Sequence, residues 1–340
     1  MSELLVTGAT GFLGMSYVAG LLEEEDGPAI HVLVRDPEGV ERMLTTLYAN
    51  PPAGAARLRA LPGDLTAPGL GLSRRARDEL AGVSHVVHCA ASISFSLPLD
   101  EARAINVAGT ERVLDLAAGL PGLDRLVHVS TAYVGGRDHR TLLETDRGGG
   151  DFRNTYEQTK WEAEQVVSAA GLPAVVVRPS IVVGDSRSGW TPAFNVLYWP
   201  LQAFARGLVS ELPADPAGIV DVVPVDHVTR VIAAATFAPD AHGTYHAVAG
   251  LAAPTVEELV ELAARTLDMD PPPLVAPRDD EEHPVGVFAP YFDVRCRFGE
   301  ERTRSELGLV APDVRDYFPD LMAYARTSRW GRRPLARQAA

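Results

Sequence analysis

The sequence predicts an α/β chain, a doubly wound parallel sheet joined to a smaller, mostly helical C-terminal region. Two observations carry that prediction. Apolar runs of strand length alternate with helix-periodic segments through the first half of the chain. A glycine-rich octapeptide, Thr7-Gly8-Ala9-Thr10-Gly11-Phe12-Leu13-Gly14, joins the first of those strands to the first helix. Composition sets the scale: 340 residues, 46% hydrophobic and 22% charged, suit one large soluble domain or two small ones.

Taken in order, strands are expected at residues 4–7, 30–34, 58–62, 83–89, 125–130 and 174–178. Helices are expected at 12–24, 102–118 and 154–170. This alternation implies parallel strands with helices on both faces. After Pro179 the pattern changes. The stretch 184–216 carries Trp190, Tyr198, Trp199 and several prolines, and reads as an excursion over a cleft. Segments 219–223, 226–237 and 244–248 could return to the sheet. Residues 255–267, 300–307 and 313–326 read as helices, and 279–282 as a solvated acidic run.

The octapeptide explains its own glycines. Gly8 permits a tight turn, Gly11 lets backbone approach a pyrophosphate, and Gly14 lets the helix pack close to the sheet. The helix N-terminus then offers free N–H groups and partial positive charge to phosphates. Residues 1–183 are therefore expected to form a dinucleotide-binding core of Rossmann type, with 219–250 returning to it. Residues 184–218 and 251–328 form the substrate-binding region, and 329–340 a basic tail expected to fray. The second strand ends in Arg35, which favours the 2′-phosphate of NADPH, with Arg42 as support. Asp36 could instead accept a ribose 2′-hydroxyl, so NAD remains the alternative.

A net charge of −14 argues against a nucleic-acid partner. Cys89 and Cys296 suggest no disulfide framework. The pairs His85/His88 and His242/His246 fall in strand-like stretches and indicate no metal site. Met1-Ser2-Glu3 leads straight into Leu4-Leu5-Val6 without a basic leader, and no apolar run spans a membrane, so the chain reads as cytoplasmic. Monomer and homodimer both fit.

The chain has 31 Lys+Arg residues but a single lysine, Lys160. It follows Tyr156 by four residues, one turn along the same helix face. An ammonium is compact where a guanidinium is a broad fork, so a site beneath a tyrosine and a sugar hydroxyl admits only lysine.

These residues resemble the extended short-chain dehydrogenase/reductase superfamily over most of residues 1–250. The octapeptide resembles its nucleotide loop, in which Thr7, Gly8, Thr10, Gly11, Phe12, Leu13 and Gly14 would contact the cofactor. Gly63-Asp64-Leu65 resembles its adenine-contacting turn, implying Asp64 and Leu65 near the base. His88-Cys89-Ala90-Ala91 resembles the strand end along the cofactor, implying Cys89, Ala90 and Ala91 there. Asn106-Val107-Ala108-Gly109-Thr110 resembles its helix asparagine motif. Ser130-Thr131-Ala132-Tyr133-Val134 carries the hydroxyl residue, and Tyr156/Lys160 the active pair. Val129–Val134, Lys160-Trp161-Glu162-Ala163-Glu164 and Arg178-Pro179-Ser180-Ile181-Val182 look like the male-sterility branch of fatty acyl reductases and thioester-reductase domains.

The chemistry expected is reduction. Tyr156 would donate a proton to a substrate oxygen as hydride arrives, and Lys160 would lower the phenol's pKa and hold the ribose hydroxyls. Thr131 would bond the same oxygen, with Ser130 its rival. Asn106 would bind a water or a backbone carbonyl, and Pro179, Ser180 and Ile181 would face the carboxamide. The leading expectation is an NADPH-dependent reductase of an acyl thioester, on coenzyme A or an acyl carrier protein, giving aldehyde or alcohol. Arg295, Arg297, Arg302, Arg304 and the arginine-rich tail could receive those phosphates or that carrier, or serve only as surface arginines. Other readings are an aldehyde/ketone reductase or hydroxysteroid-type dehydrogenase, a nucleotide-sugar epimerase or dehydratase, and a non-catalytic dinucleotide sensor. Glu144, Asp185, Arg187 and Trp190 are expected on loops facing the cleft, solvated or structural rather than catalytic.

Overall fold

The computed structural model describes residues 2–137, 141–194, 196–276, 291–292 and 294–337. Strand β1 (Glu3–Thr7) passes through the glycine loop into α1 (Phe12–Glu23), and β2 (Ala29–Val34) leads to α2 (Glu38–Leu47). There follow β3 (Leu58–Pro62), the short α3 (Arg74–Asp78) and β4 (Val83–His88). Then come α4 (Leu99–Asn106), α5 (Ala108–Ala118), β5 (Arg125–Val129), α6 (Thr155–Ala169) and β6 (Ala174–Pro179). The second half adds β7 (Ile181–Val183), α7 (Tyr198–Ala205), β8 (Leu212–Pro213), β9 (Val222–Pro224), α8 (Val225–Phe237) and β10 (Gly243–Ala247). It ends with α9 (Val256–Leu267), β11 (Leu274–Val275), α10 (Glu301–Leu307) and α11 (Val314–Thr327).

Seven strands form one parallel sheet in the order β10-β6-β5-β4-β1-β2-β3. Helices α1 and α8 cover one face, and α4, α5 and α6 the other. Covered on both sides, the interior strand β1 buries three apolar residues in succession, Leu4, Leu5 and Val6. The strand order reverses between β1 and β4. Loops leaving those strands part there and open a crevice at the carboxyl ends of the strands. Over it sits a second core built from Tyr198, Leu201, Phe204, Leu259, Tyr317 and Phe318.

Three features differ from the sequence expectation. The single helix expected over 102–118 is bent at Val107 (φ −92, ψ −63) into α4 and α5. The cause is local: the Thr110 hydroxyl donates to Asn106 O at 2.6 Å and competes for that carbonyl, which bends helices. Segment 219–223 does not join the main sheet. Val222–Pro224 pairs instead with Ile181–Val183 in a separate two-stranded parallel sheet, while β10 and α8 pack with the main one. The tail, expected to fray, is tied down as far as residue 337. Leu335 O accepts from Trp190 Nε1 (3.1 Å) and Tyr324 OH (3.3 Å), and Arg337 pairs with Glu23 (2.7 Å). The acidic run 279–282 lies outside the described residues. Among the described residues no helix is long and apolar enough to cross a membrane.

Candidate active site

The glycine loop is packed so closely that side chains at Gly8 and Gly14 would clash with backbone. Gly8 has φ +74, and a Cβ there would lie 2.6 Å from Ala90 N. A Cβ on Gly14 would lie 2.2 Å from Gly8 O. Gly11 N donates back to Gly8 O (3.0 Å), which tightens the turn and aims the open first turn of α1 at the crevice. Behind the loop runs a buried polar thread. Thr110 donates to Asn106 O, so it accepts from His88 Nε2 (3.0 Å), and His88 Nδ1 accepts from Thr7 Oγ1 (2.6 Å). Thr7 Oγ1 in turn accepts from Ala90 N (3.3 Å). Burial brings His88 down to about 3, with Lys160 adding to the effect, so the imidazole is neutral. A strand histidine thus fixes the loop after β1 against the segment after β4.

Asn106 is buried and fully used. Its Oδ1 accepts from Ser92 N (2.7 Å), and its Nδ2 donates to Ser92 O (3.1 Å) and Thr159 Oγ1 (2.9 Å). It staples the segment beyond Ala91 to α6. Helix α6 starts at Asn154, whose side chain accepts from Glu157 N (3.0 Å) and donates to Tyr291 OH (2.8 Å). That cap sets Tyr156 in the first turn and Lys160 one turn later.

Tyr156, Thr131 and Lys160 meet in one cleft of about 480 Å³. Thr131 hydrogen-bonds Tyr156, and its Oγ1 also donates to Pro179 O (3.4 Å). Burial pushes the Tyr156 phenol up to about 12, against the Thr131 bond and with the help of Glu157. This corrects the expectation that Lys160 would acidify the phenol. Lys160 Nζ is turned to the end of β5 instead, where it donates to Val129 O (2.6 Å) and lies 3.4 Å from His128 Nε2. Burial brings Lys160 down to about 8, while Glu164 and Cys89 act to hold it up. Ser130, the rival hydroxyl, lines the same cleft, and its buried Oγ has no hydrogen-bond partner among the described residues.

The remaining expected residues divide in three. Gly8, Gly11, Phe12, Leu13, Gly14, Cys89, Ala91, Pro179, Ser180 and Ile181 line the cleft with the residues above. Thr10, Arg35, Asp36 and Arg42 line a neighbouring pocket of about 230 Å³ at the end of β2. Asp36 is engaged there: Arg42 Nη2 donates to it (2.6 Å), as does Glu38 N (3.0 Å), and the Arg42 bond chiefly lowers its pKa. Asp64 and Leu65 line neither concavity. Asp64 accepts from Thr66 N and Oγ1 (both 2.8 Å), and Leu65 packs on Gly109, where a Cβ would lie 2.6 Å from Leu65 Cγ.

Several cleft residues were not anticipated. Phe95 stacks on Tyr291 (5.2 Å) and lies 6.0 Å from Tyr156, and Tyr133 meets Tyr291 edge-on (5.0 Å). Nothing in their spacing announces this aromatic wall. His128, behind the cleft beside Lys160, was also not anticipated; its place two residues before Ser130 on the strand is the signal that could have found it. Glu144 accepts from His246 N, Arg302 N, and the amide and hydroxyl of Thr303, which fastens α10 to β10. Asp185 fixes its own loop through Arg187 N and Ser188 N, and Trp190 is buried. Among the described residues no three His, Cys, Asp or Glu side chains are grouped to hold a metal.

A family model described as male sterility protein matches residues 6–232. The chain belongs to that family. It lies within the extended short-chain dehydrogenases/reductases, which are NAD(P)-dependent oxidoreductases, and its glycine cradle fits a nicotinamide dinucleotide. It is similar to fatty acyl-CoA reductase 1 of Xenopus laevis, 31% identical over 279 residues, or 69% of this chain and 54% of the relative. Fatty acyl-CoA reductase 2 of Mus musculus is 28% identical over 297 residues, 73% of this chain and 58% of the relative. The chain thus spans about half the length of the curated relatives it matches. Among solved structures, the terminal R domain of the myxalamid PKS-NRPS pathway superposes with a TM-score of 0.84 at 25% identity, covering 98% of this chain and 93% of that one. The Bordetella bronchiseptica enzyme WbmG, solved with NAD, shares the fold at a TM-score of 0.75 and 21% identity, covering 99% of this chain and 97% of that one.

Proposed function

We propose that this protein is an NADPH-dependent reductase of acyl thioesters. The observation that carries the reading is the meeting of Tyr156, Thr131 and Lys160 with the glycine loop in one aromatic-walled cleft. The relatives named as fatty acyl-CoA reductases support the substrate class. Residues 1–183 supply the dinucleotide core, and 184–218 with 251–328 the substrate side.

The bound nicotinamide supplies a hydride. Tyr156 donates its proton to the thioester oxygen as the carbonyl carbon gains that hydride, giving a hemithioacetal. The carbon–sulfur bond then breaks to release aldehyde and thiol. A phenol held at about 12 stays protonated through neutral pH, which suits an acid rather than a base. Thr131 fixes the phenol and offers its own hydroxyl to the same oxygen. Lys160 has one of its three N–H donors on Val129 O and would use the others to hold the ribose hydroxyls, supplying local positive charge. Asn106 positions rather than reacts, because its amide is committed to Ser92 and Thr159.

NADPH is preferred because Arg35 and Arg42 share the pocket after β2 and Asp36 is already bonded. The test is a panel of acyl-CoA, acyl-carrier thioester, aldehyde and ketone with NADPH and NADH. Thioester-dependent oxidation of NADPH with release of free thiol is expected. Turnover of aldehydes or ketones alone refutes the thioester assignment.

A further inference from the structure

Another concavity lies at the C-terminal turn, at the far end of α7 from the cleft. Arg206, Arg326, Arg329, Trp330, Arg332 and Arg333 line it around about 540 Å³. No acidic side chain lines it, in a chain of net charge −14. The other C-terminal arginines are engaged within the fold. Arg295 pairs with Asp215, Arg302 with Glu306 and Arg304 with Glu300, while Arg297 donates to Leu251 O and Ala253 O. In the pocket, Arg326 donates to Leu267 O (3.0 Å). Arg206, Arg329, Arg332 and Arg333 have no carboxylate within ion-pair distance among the described residues.

The backbone here is held in an uncommon form. Arg329 (φ 52), Trp330 (φ 55) and Gly331 (φ 84) are left-handed in succession. For the two residues with side chains this conformation is unfavourable, because Cβ crowds the following carbonyl oxygen. The turn persists because Trp330 N donates to Ala325 O (2.7 Å) and Arg333 N to Ser328 O (2.8 Å). Its effect is to gather three tail arginines and one indole around a single hollow. Such strain concentrates where a surface binds something.

The hollow is close to the cleft. Trp330 packs edge-on against Phe194 (6.4 Å), and a Cβ on Gly331 would lie 2.9 Å from Phe194 Cδ2. Two residues on, Val196 lines the cleft. Helix α7 begins two residues after Val196, is capped at its far end by Arg206, and is about 12 Å long.

We propose that this hollow receives the nucleotide phosphates of a coenzyme A thioester, with Trp330 beside the adenine and the pantetheine arm crossing to the cleft. The proposal rests on the acyl-thioester reading. Guanidinium forks match phosphate oxygens pairwise, and an indole offers a face for a base. The dinucleotide's own phosphates are served by the glycine loop and Arg35, so the two nucleotides do not compete.

Calorimetry on the NADP-saturated protein tests the site directly. Coenzyme A and adenosine 3′,5′-bisphosphate should bind, pantetheine at least tenfold more weakly. The exposed double substitution Arg332→Ala/Arg333→Ala, and separately Arg206→Glu on α7, should weaken coenzyme A at least tenfold. The ratio of kcat/KM for acyl-CoA over acyl-pantetheine should fall by the same factor. A ratio or an affinity unchanged within twofold in both variants overturns the proposal. So does loss of turnover confined to carrier-borne thioesters. If no thioester turns over yet coenzyme A binding still depends on these arginines, the function reading fails and the hollow stands as a nucleotide-phosphate site.

Discussion

At the scale of single residues, Tyr156 and Lys160 sit one turn apart, yet their electrostatics are set by different neighbours. Tyr156 answers to burial and Thr131; Lys160 answers to burial, with Val129 O and His128 holding its ammonium. Tyr156→Phe should lower kcat by ~10²–10⁴-fold, the range for a lost proton donor, while fluorescence titration shows NADPH binding within a few-fold of the parent. The pH profile should separate the pair. Activity should fall as pH rises through about 8, where Lys160 loses its charge, with no step from Tyr156 below its value of about 12. Stability should move the other way. Lys160 is lowered from 10.5 to about 8, so the unfolded chain binds more protons within that window and stability rises with pH across it. Urea unfolding at pH 8 and pH 10 should show that rise shrinking in Lys160→Met.

At the scale of elements, the alternation of apolar and periodic segments made the parallel sheet legible, because strands covered on both faces are mostly apolar. The glycine loop was legible because Gly8 and Gly14 answer steric demands that the fold realises. The bend at Val107 was not, since it depends on a threonine hydroxyl choosing a carbonyl four residues back. Nor was the small sheet of β7 and β9, whose partners lie forty residues apart. Lys160 stood out as the only lysine, but its partners did not, because a buried ammonium takes whichever carbonyl the neighbouring strand presents. Glu144 lies in a loop that reads as solvated, yet it satisfies four donors across two elements. Its substitution Glu144→Ala should destabilise the protein by about 2–4 kcal/mol through the donors left unpaired, as read by urea unfolding.

At the scale of the whole molecule, arginines of the acidic chain line two separate hollows, one at the end of β2 and one at the C-terminal turn. On the proposed reading, the first sets the choice between NADPH and NADH. Arg42→Ala removes a cation and frees the Asp36 carboxylate for a ribose hydroxyl, so the NADPH-to-NADH ratio of kcat/KM should fall about tenfold or more. An unchanged ratio would assign the choice to Arg35 alone or to neither. Between these charged ends lies the cleft in which reduction is placed. The most direct measurement is a stoichiometric balance with acyl-CoA: NADPH consumed, free thiol released and aldehyde formed, in the parent and in Tyr156→Phe. The account predicts one thiol for each aldehyde, at least one NADPH for each thiol, and near-silence in the variant. NADPH consumption without thiol, or an undiminished rate in Tyr156→Phe, would contradict it.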